Sequence, residues 1–196
     1  MKILFCGGGA LGSHALLIGR SLGRSLDATV ELAVVDFDRV ETGNLRSQWF
    51  VKPMVGKHKA SALKLQLLNF HSVTLKDYPV RLTADNIGTL FEGVGLLVDT
   101  FDNAASRQLV QDHARAQGLP CVHAGLAAEG AFGVVRWDAS FVVDHEDHPG
   151  QPTCDGGDHL PIITQVAASL VQSMSWWLQD QREVNWNVSP QKLEAF

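Results

Sequence analysis

The feature that most constrains this chain is its first dozen residues, where a short apolar run, residues 3–6, meets Gly7, Gly8, Gly9, Ala10, Leu11 and Gly12. A run this short and uniformly apolar suits a buried parallel strand. Residues 14–26 then carry Leu16, Leu17, Leu22 and Leu26 at helical spacing. The order is strand, tight turn, helix. In that arrangement Gly7 permits the turn, Gly9 lets backbone amides approach a phosphate, and Gly12 lets the helix close on the sheet. The amide-rich helix start favours an anion. Many phosphate binders share such glycines, so context matters. A second apolar run, residues 30–35, ends in Asp36, 24 residues beyond Gly12, near the roughly 20-residue spacing of a carboxylate that accepts ribose hydroxyls. The N-terminal unit therefore reads as a mononucleotide-binding one.

The rest of the chain alternates in the same way. A polar loop from Phe37 through Asp38 to Asn44 leaves the second strand at its carboxyl end, the edge where doubly wound sheets bind ligands. Residues 57–69 form an amphipathic helix that opens after Gly56 with Lys57, Lys59 and Lys64 on its polar positions. Residues 73–82 read as a third strand, 84–91 as a short helix and 95–98 as a fourth strand, followed by Asp99, Thr100, Phe101, Asp102 and Asn103. A helix over 104–117 is closed by Gly118 and Pro120. Residues 121–125 and 131–135 read as strands joined by a turn too short for a helical crossover, so the sheet turns antiparallel there. Residues 138–158 read as a long polar crossing loop and 161–179 as a helix. Beyond Asp180 no pattern is readable, and residues 185–196 suit either a loose tail or a segment that docks on a partner. The expected fold class is α/β: a Rossmann-like doubly wound sheet, mostly parallel, with an antiparallel C-terminal part.

With 196 residues, 45% of them apolar, the chain has enough material for one sizeable core, and a single domain over 1–196 is expected. A net charge of -5 without a run of Lys or Arg leaves no electrostatic footprint for nucleic acid. No apolar stretch approaches the roughly 18 residues of a membrane span. The first apolar run stops at Gly7, short of a signal peptide, and a cytoplasmic location is expected. Cys6, Cys121 and Cys154 are odd in number and widely spaced, which makes neither a disulfide framework nor a four-cysteine zinc site. Cys6 and Cys121 fall in predicted buried strands, as inert core thiols do, whereas Cys154 is alone in a predicted exposed loop. That loop also holds His145, His148 and His159, but at a spacing that fits no familiar zinc site.

Taken together, these residues resemble the ThiF/MoeB family, the ubiquitin-activating-type enzymes that adenylate the C-terminal glycine of a ubiquitin-like or sulfur-carrier protein. The likeness rests on several motifs in order: the glycine turn; Asp36, Phe37, Asp38 and Val40; Asn44, Leu45 and Gln48; Gly56, Lys57, His58 and Lys59; Asp102 and Asn103 with Arg107; residues 121–137; and Thr153 with Cys154 before a small-residue helix. The resemblance implies ATP and Mg2+ as cofactors. It assigns Asp36 to the ribose, Arg46 and Lys59 to the phosphates, and Asp102 to the metal. It places Asp38, Asn44 and Asn103 in the same pocket, and Cys154 where the activated acyl group can be taken. The family's usual arginine directly before the glutamine is Ser47 here, and Arg46 sits one position earlier. Paired zinc cysteines are absent, so structural zinc is not expected. The implied partners are a carrier protein ending in glycine and a second copy or related subunit. The helical arm that usually precedes the first strand and lends a partner subunit an arginine is also expected to be missing.

Adenylation is attack of a carboxylate on the α-phosphate of ATP, and a C-terminal carboxylate is already ionised at neutral pH, so no general base is needed. The work is positioning and charge stabilisation by a metal, a lysine and an arginine. Plainer readings stand beside each residue: Lys59 as a solvated helix residue, Arg46 as a loop charge, Asp102 as the cap of the following helix, Asp38 as a salt-bridging loop residue. Two other functions remain open at this point, a catalytically degenerate partner subunit and a nicotinamide or flavin oxidoreductase.

Overall fold

The computed structural model describes residues 1–22, 29–127, 130–143 and 159–196. Strand β1 (Lys2–Cys6) runs straight into helix α1 (Ala10–Gly19). There follow β2 (Glu31–Val35), α2 (Lys59–His71), β3 (Leu75–Tyr78), α3 (Ile87–Phe91), β4 (Val94–Asp99) and α4 (Ala104–Gln117). Strands β5 (Cys121–Leu126) and β6 (Gly133–Trp137) precede the long helix α5 (Leu160–Asp180), and β7 (Trp186–Ser189) and β8 (Lys192–Ala195) end the described chain.

All eight strands join one sheet in the order β3-β2-β1-β4-β5-β6-β7-β8. The first five are parallel, and β6, β7 and β8 pair antiparallel. Because successive residues of a strand face opposite sides, β1 contributes Ile3 and Phe5 to one core and Leu4 and Cys6 to the other. The first core is covered by α1, α2 and α5, the second by α3 and α4. Strand order reverses at β1, so a crevice opens at the carboxyl ends of β1 and β4, where doubly wound sheets bind ligands.

Several limits differ from the sequence expectation for local reasons. Helix α1 starts at Ala10, because the Ser13 amide already donates to the Gly9 carbonyl at 2.9 Å. Strand β3 stops at Tyr78 because Pro79 has no amide to give a ladder. Helix α3 starts at Ile87 rather than 84, since Asn86 turns the chain first by accepting the Thr83 amide at 2.9 Å.

The C-terminal segment left unread in the sequence is a β-hairpin that extends the sheet. Its Val188 is fully buried, Asn185 accepts the Trp137 amide at 2.9 Å, and Ser173 on α5 accepts from the Trp137 indole at 2.9 Å while donating to the Val184 carbonyl at 2.7 Å. The Trp176 side chain stacks on Trp186. Among the described residues, no helix is long and apolar enough to cross a membrane.

Candidate functional site

The site begins at the end of β1. Gly7 has a φ of +106°, a region that favours glycine, and its amide donates to the Val35 carbonyl at 3.0 Å. The Thr100 hydroxyl, at the end of β4, lies 3.1 Å from the Cys6 carbonyl and 3.0 Å from that of Gly7. Three strand ends are thereby stitched together. A Cβ on Gly12 would overlap the Gly7 carbonyl oxygen, so the glycine is what lets α1 start this close to β1. A Cβ on Gly8 would come within 2.9 Å of Leu63 Cδ1. At Gly9, by contrast, no described residue lies within 4 Å of where a Cβ would stand, and among the described residues no side chain caps α1. First-turn amides of a helix have no intrahelical acceptor. They and the positive end of the helix dipole lie next to that open position, an arrangement suited to a phosphate.

Asp36, at the end of β2, is almost completely buried beside this turn. One carboxylate oxygen accepts the Gly8 amide at 2.7 Å and the other the Asp38 amide at 2.8 Å. Burial pushes the Asp36 carboxyl above its ordinary value, against the pull of Lys59 and the two amides. Lys59, the first residue of α2, is itself buried. Its ammonium group meets Asp38 Oδ2 at 3.1 Å and its amide donates to the Asp38 carbonyl at 2.7 Å. The solvated-residue reading of Lys59 is thus excluded, and Asp38 acts as its anchor.

The loop after β2 folds back on α1. The Ser13 hydroxyl accepts the Trp49 amide at 2.9 Å, and His14 Nε2 lies 3.2 Å from the Ser47 carbonyl. Burial lowers the His14 pKa, only partly offset by that contact. Within the loop, Asn44 Oδ1 accepts the Glu41 amide at 2.9 Å, which shapes the 3-10 turn Gly43–Arg46. Arg46 is exposed and has no ion-pair partner among the described residues. Gln48 is buried, and its Oε1 finds no hydrogen-bond partner among them.

At the β4 end, Asn103 caps α4 by accepting the Ser106 amide at 2.9 Å. The sequence reading offered Asp102 for that cap; the structure gives it to Asn103, because its extended backbone aims the side chain at the helix start. Asp102 is left exposed, with no hydrogen bond or ion pair among the described residues. Gly8, Asp36, Asp38 and Lys59 are joined by direct hydrogen bonds, and Gly7 is tied instead to Val35 and Thr100. Asp102 stands on the neighbouring strand end, and Cys154 lies outside the described residues, as do His145 and His148.

The residues present fit a nucleotide and a magnesium ion. The open position at Gly9 beside the start of α1 suits phosphates, and Arg46 and Asp102 have no partner among the described residues. Among the described residues no group of three or more His, Cys, Asp or Glu side chains is arranged to hold a metal ion; magnesium commonly takes one or two carboxylates and completes its shell with phosphate oxygens and water.

Sequence reasoning missed Asp138, read as the start of a crossing loop. Its carboxylate instead meets the buried His123 at 3.3 Å and Arg115 at 2.7 Å. Burial pushes the Asp138 carboxyl up, but hydrogen bonds from Arg115 and Gln111 and the nearby Arg115 and His123 charges outweigh it and hold the group below its ordinary value. No local pattern marks His123, which sits in an apolar strand. Cys6 and Cys121 are buried, and burial beside Asp99 pushes both thiols well up, consistent with inert core thiols.

Residues 1–187 match the ThiF family. The chain belongs to that family. Among curated relatives of this ThiF-family chain, the sulfur carrier protein adenylyltransferase of Thermus thermophilus is 36% identical over 154 residues, 76% of this chain and 50% of that protein. The adenylyltransferase and sulfurtransferase UBA4 of Vanderwaltozyma polyspora is 34% identical over 142 residues, 69% of this chain and 31% of that protein. The chain spans half or less of the length of these two relatives. Among solved structures, E. coli MccB with ATP superposes with a TM-score of 0.73 at 16% identity, covering 100% of this chain and 62% of that one. E. coli MccB with MccA gives 0.75 at 17%, with the same coverage. At such identities the likeness shows the ThiF-type fold.

Proposed function

We propose that residues 1–196 form one adenylation unit that uses ATP and Mg2+ to activate the C-terminal carboxylate of a ubiquitin-like or sulfur-carrier protein. The observation that carries this reading is the start of α1, which among the described residues has no side-chain cap and no neighbour at the Gly9 Cβ position, set at the sheet's switch point between the strand ends that lead to Asp36 and Asp102. Asp36, anchored by two amides, presents its remaining lone pairs to ribose hydroxyls. The α1 amides, Lys59 and Arg46 hold the triphosphate, and Asp102 with the phosphates holds magnesium, which supplies Lewis-acid neutralisation of their charge. A carrier carboxylate oxygen forms a bond to the α-phosphorus while the bond to the β-bridging oxygen breaks, and pyrophosphate leaves. Because the nucleophile is already an anion, the chain's task is to bring two anions together on fixed cations and amides.

Relatives named for sulfur-carrier adenylation favour a protein substrate. The reading extends to Cys154 as the acceptor of the activated acyl group and to pairing with a second copy or a related subunit. The decisive test is exchange of labelled pyrophosphate into ATP with candidate carriers ending in Gly-Gly. Carrier-dependent exchange is expected; ATP binding without exchange for any glycine-terminated carrier overturns the reading.

A further inference from the structure

Behind Asp102 lies a buried charged array that the proposed chemistry leaves unused. Asp99 and His123 are both fully buried. Asp99 Oδ2 faces His123 Nδ1 at 2.8 Å and Arg107 at 3.2 Å, and its Oδ1 accepts the Phe101 amide at 3.1 Å. Arg107 also donates to the Ala124 carbonyl at 2.8 Å. His123 Nε2 faces Asp138 Oδ1 at 3.3 Å, and the same oxygen accepts from Gln111 at 2.9 Å. The His123 ring lies flat on Phe141, centroids 4.0 Å apart and planes 7° from parallel. Both ring nitrogens therefore face carboxylate oxygens, and an imidazole donates to both only with a proton on each nitrogen.

Stability is a poor account of this array. A buried ion cluster costs so much desolvation that well-packed apolar replacements are often neutral or stabilising. Geometry offers a better one. The bond from Asp99 to the amide two residues ahead is an aspartate turn that sets the chain's course, and the next residue is Asp102. Since Asp102 has no partner of its own among the described residues, its placement is inherited from that turn. Asp99 is in turn gripped from α4 by Arg107 and from β5 by His123.

We propose that His123 is a positioning residue for the metal and phosphate end of the site: backed by Asp138 and Phe141, it fixes Asp99 and thereby aims Asp102. The metal part of this inference rests on the adenylation reading, whereas the structural part does not.

His123→Phe keeps the ring on Phe141 but removes both nitrogens, and Asp138→Asn is a milder variant that keeps an acceptor toward His123. Hydrogen exchange is measured at the Phe101 amide, with residues 32–35 of β2 as the internal reference. Exchange at Phe101 is expected to rise about tenfold in His123→Phe and severalfold in Asp138→Asn, with the reference unchanged. If His123→Phe does not fold, Asp138→Asn alone decides. Unchanged exchange at Phe101, or an equal rise at the reference, overturns the proposal. In magnesium titrations of ATP binding, His123→Phe should raise half-saturation about tenfold, the size expected when a residue supporting a metal ligand is lost. It should add nothing in an Asp102→Ala background; additive losses overturn the proposed route through Asp102. Wild-type protein that binds no magnesium-ATP refutes the adenylation reading, and amide exchange then settles the positioning role by itself.

Discussion

Gly9 and Gly12 sit three residues apart on the same turn, yet the structure demands opposite outcomes when each becomes alanine. At Gly12 the new methyl collides with the Gly7 carbonyl and crowds the Thr100 hydroxyl, both on buried structure that cannot swing away. Overpacking of that kind costs about 1–3 kcal/mol, which for a chain of this size lowers Tm by roughly 2–12 °C. At Gly9 the methyl meets none of the described residues within 4 Å, so Gly9→Ala should lose less stability than Gly12→Ala. Its methyl, however, occupies the space over the α1 amides. Loss of one hydrogen bond to a charged phosphate is worth about 1.5–3 kcal/mol, or roughly 10- to 150-fold in the Kd for ATP. Thermal melts and calorimetric titration with magnesium-ATP separate the two effects. Gly9→Ala that folds but binds ATP unchanged refutes the placement of phosphate over this turn. Gly12→Ala with an unchanged Tm refutes the packing of α1 on β1.

Lys59→Ala should lower the pyrophosphate exchange rate about 100-fold or more, the loss typical of a removed charge-stabilising donor, with a smaller change in ATP affinity; single-turnover and binding measurements on the same preparation check the split. Asp102→Ala should weaken magnesium-dependent ATP binding, while Asp112→Ala on the exposed face of α4, where Asp112 accepts from Gln108, should leave it unchanged; equal effects contradict the site. The pH dependence has two signs. Asp36 sits above its ordinary value, so the native state holds more protons than the unfolded chain between the two values, and this group's contribution falls as pH rises through that window. Asp77 and Asp138 are held below theirs, so their stabilisation is present above the ordinary carboxylate value and lost as pH falls through their folded values. Relative to wild type, Asp36→Asn should therefore be better tolerated at about pH 7 than at about pH 4, as melts at the two pH values will show. Val188→Ala in the buried face of β7 should cost about 2 kcal/mol for two methyl groups and the space they leave, measured by urea unfolding; a loss below a few tenths would mean the hairpin is not part of the core.

The elements legible in the sequence are those whose cause is local. Residues 104–117 were bounded as α4 because Gly118 and Pro120 stop a helix whatever surrounds it, and the turn from β1 into α1 follows from glycines at 7, 8, 9 and 12. Asp36 was placed at a strand's end by the apolar run before it. What the tertiary structure alone decided depends on partners distant in sequence. The β7 and β8 hairpin has weak local pattern because its stability comes from pairing with β6, some fifty residues earlier, and from Trp137 and Ser173. Whether Asp102 or Asn103 caps α4 turned on backbone angles that residue type does not specify. Lys59 looked like any basic helix residue until α2 brought it against Asp38. His123 carried no signal at all: an imidazole in an apolar strand acquires meaning only when sheet order sets β5 beside β4, so that Asp99 from one strand end and Asp138 from the turn after β6 meet its two nitrogens. Residue types announce which chemistry is available, and the order of strands in the sheet decides which of those residues meet.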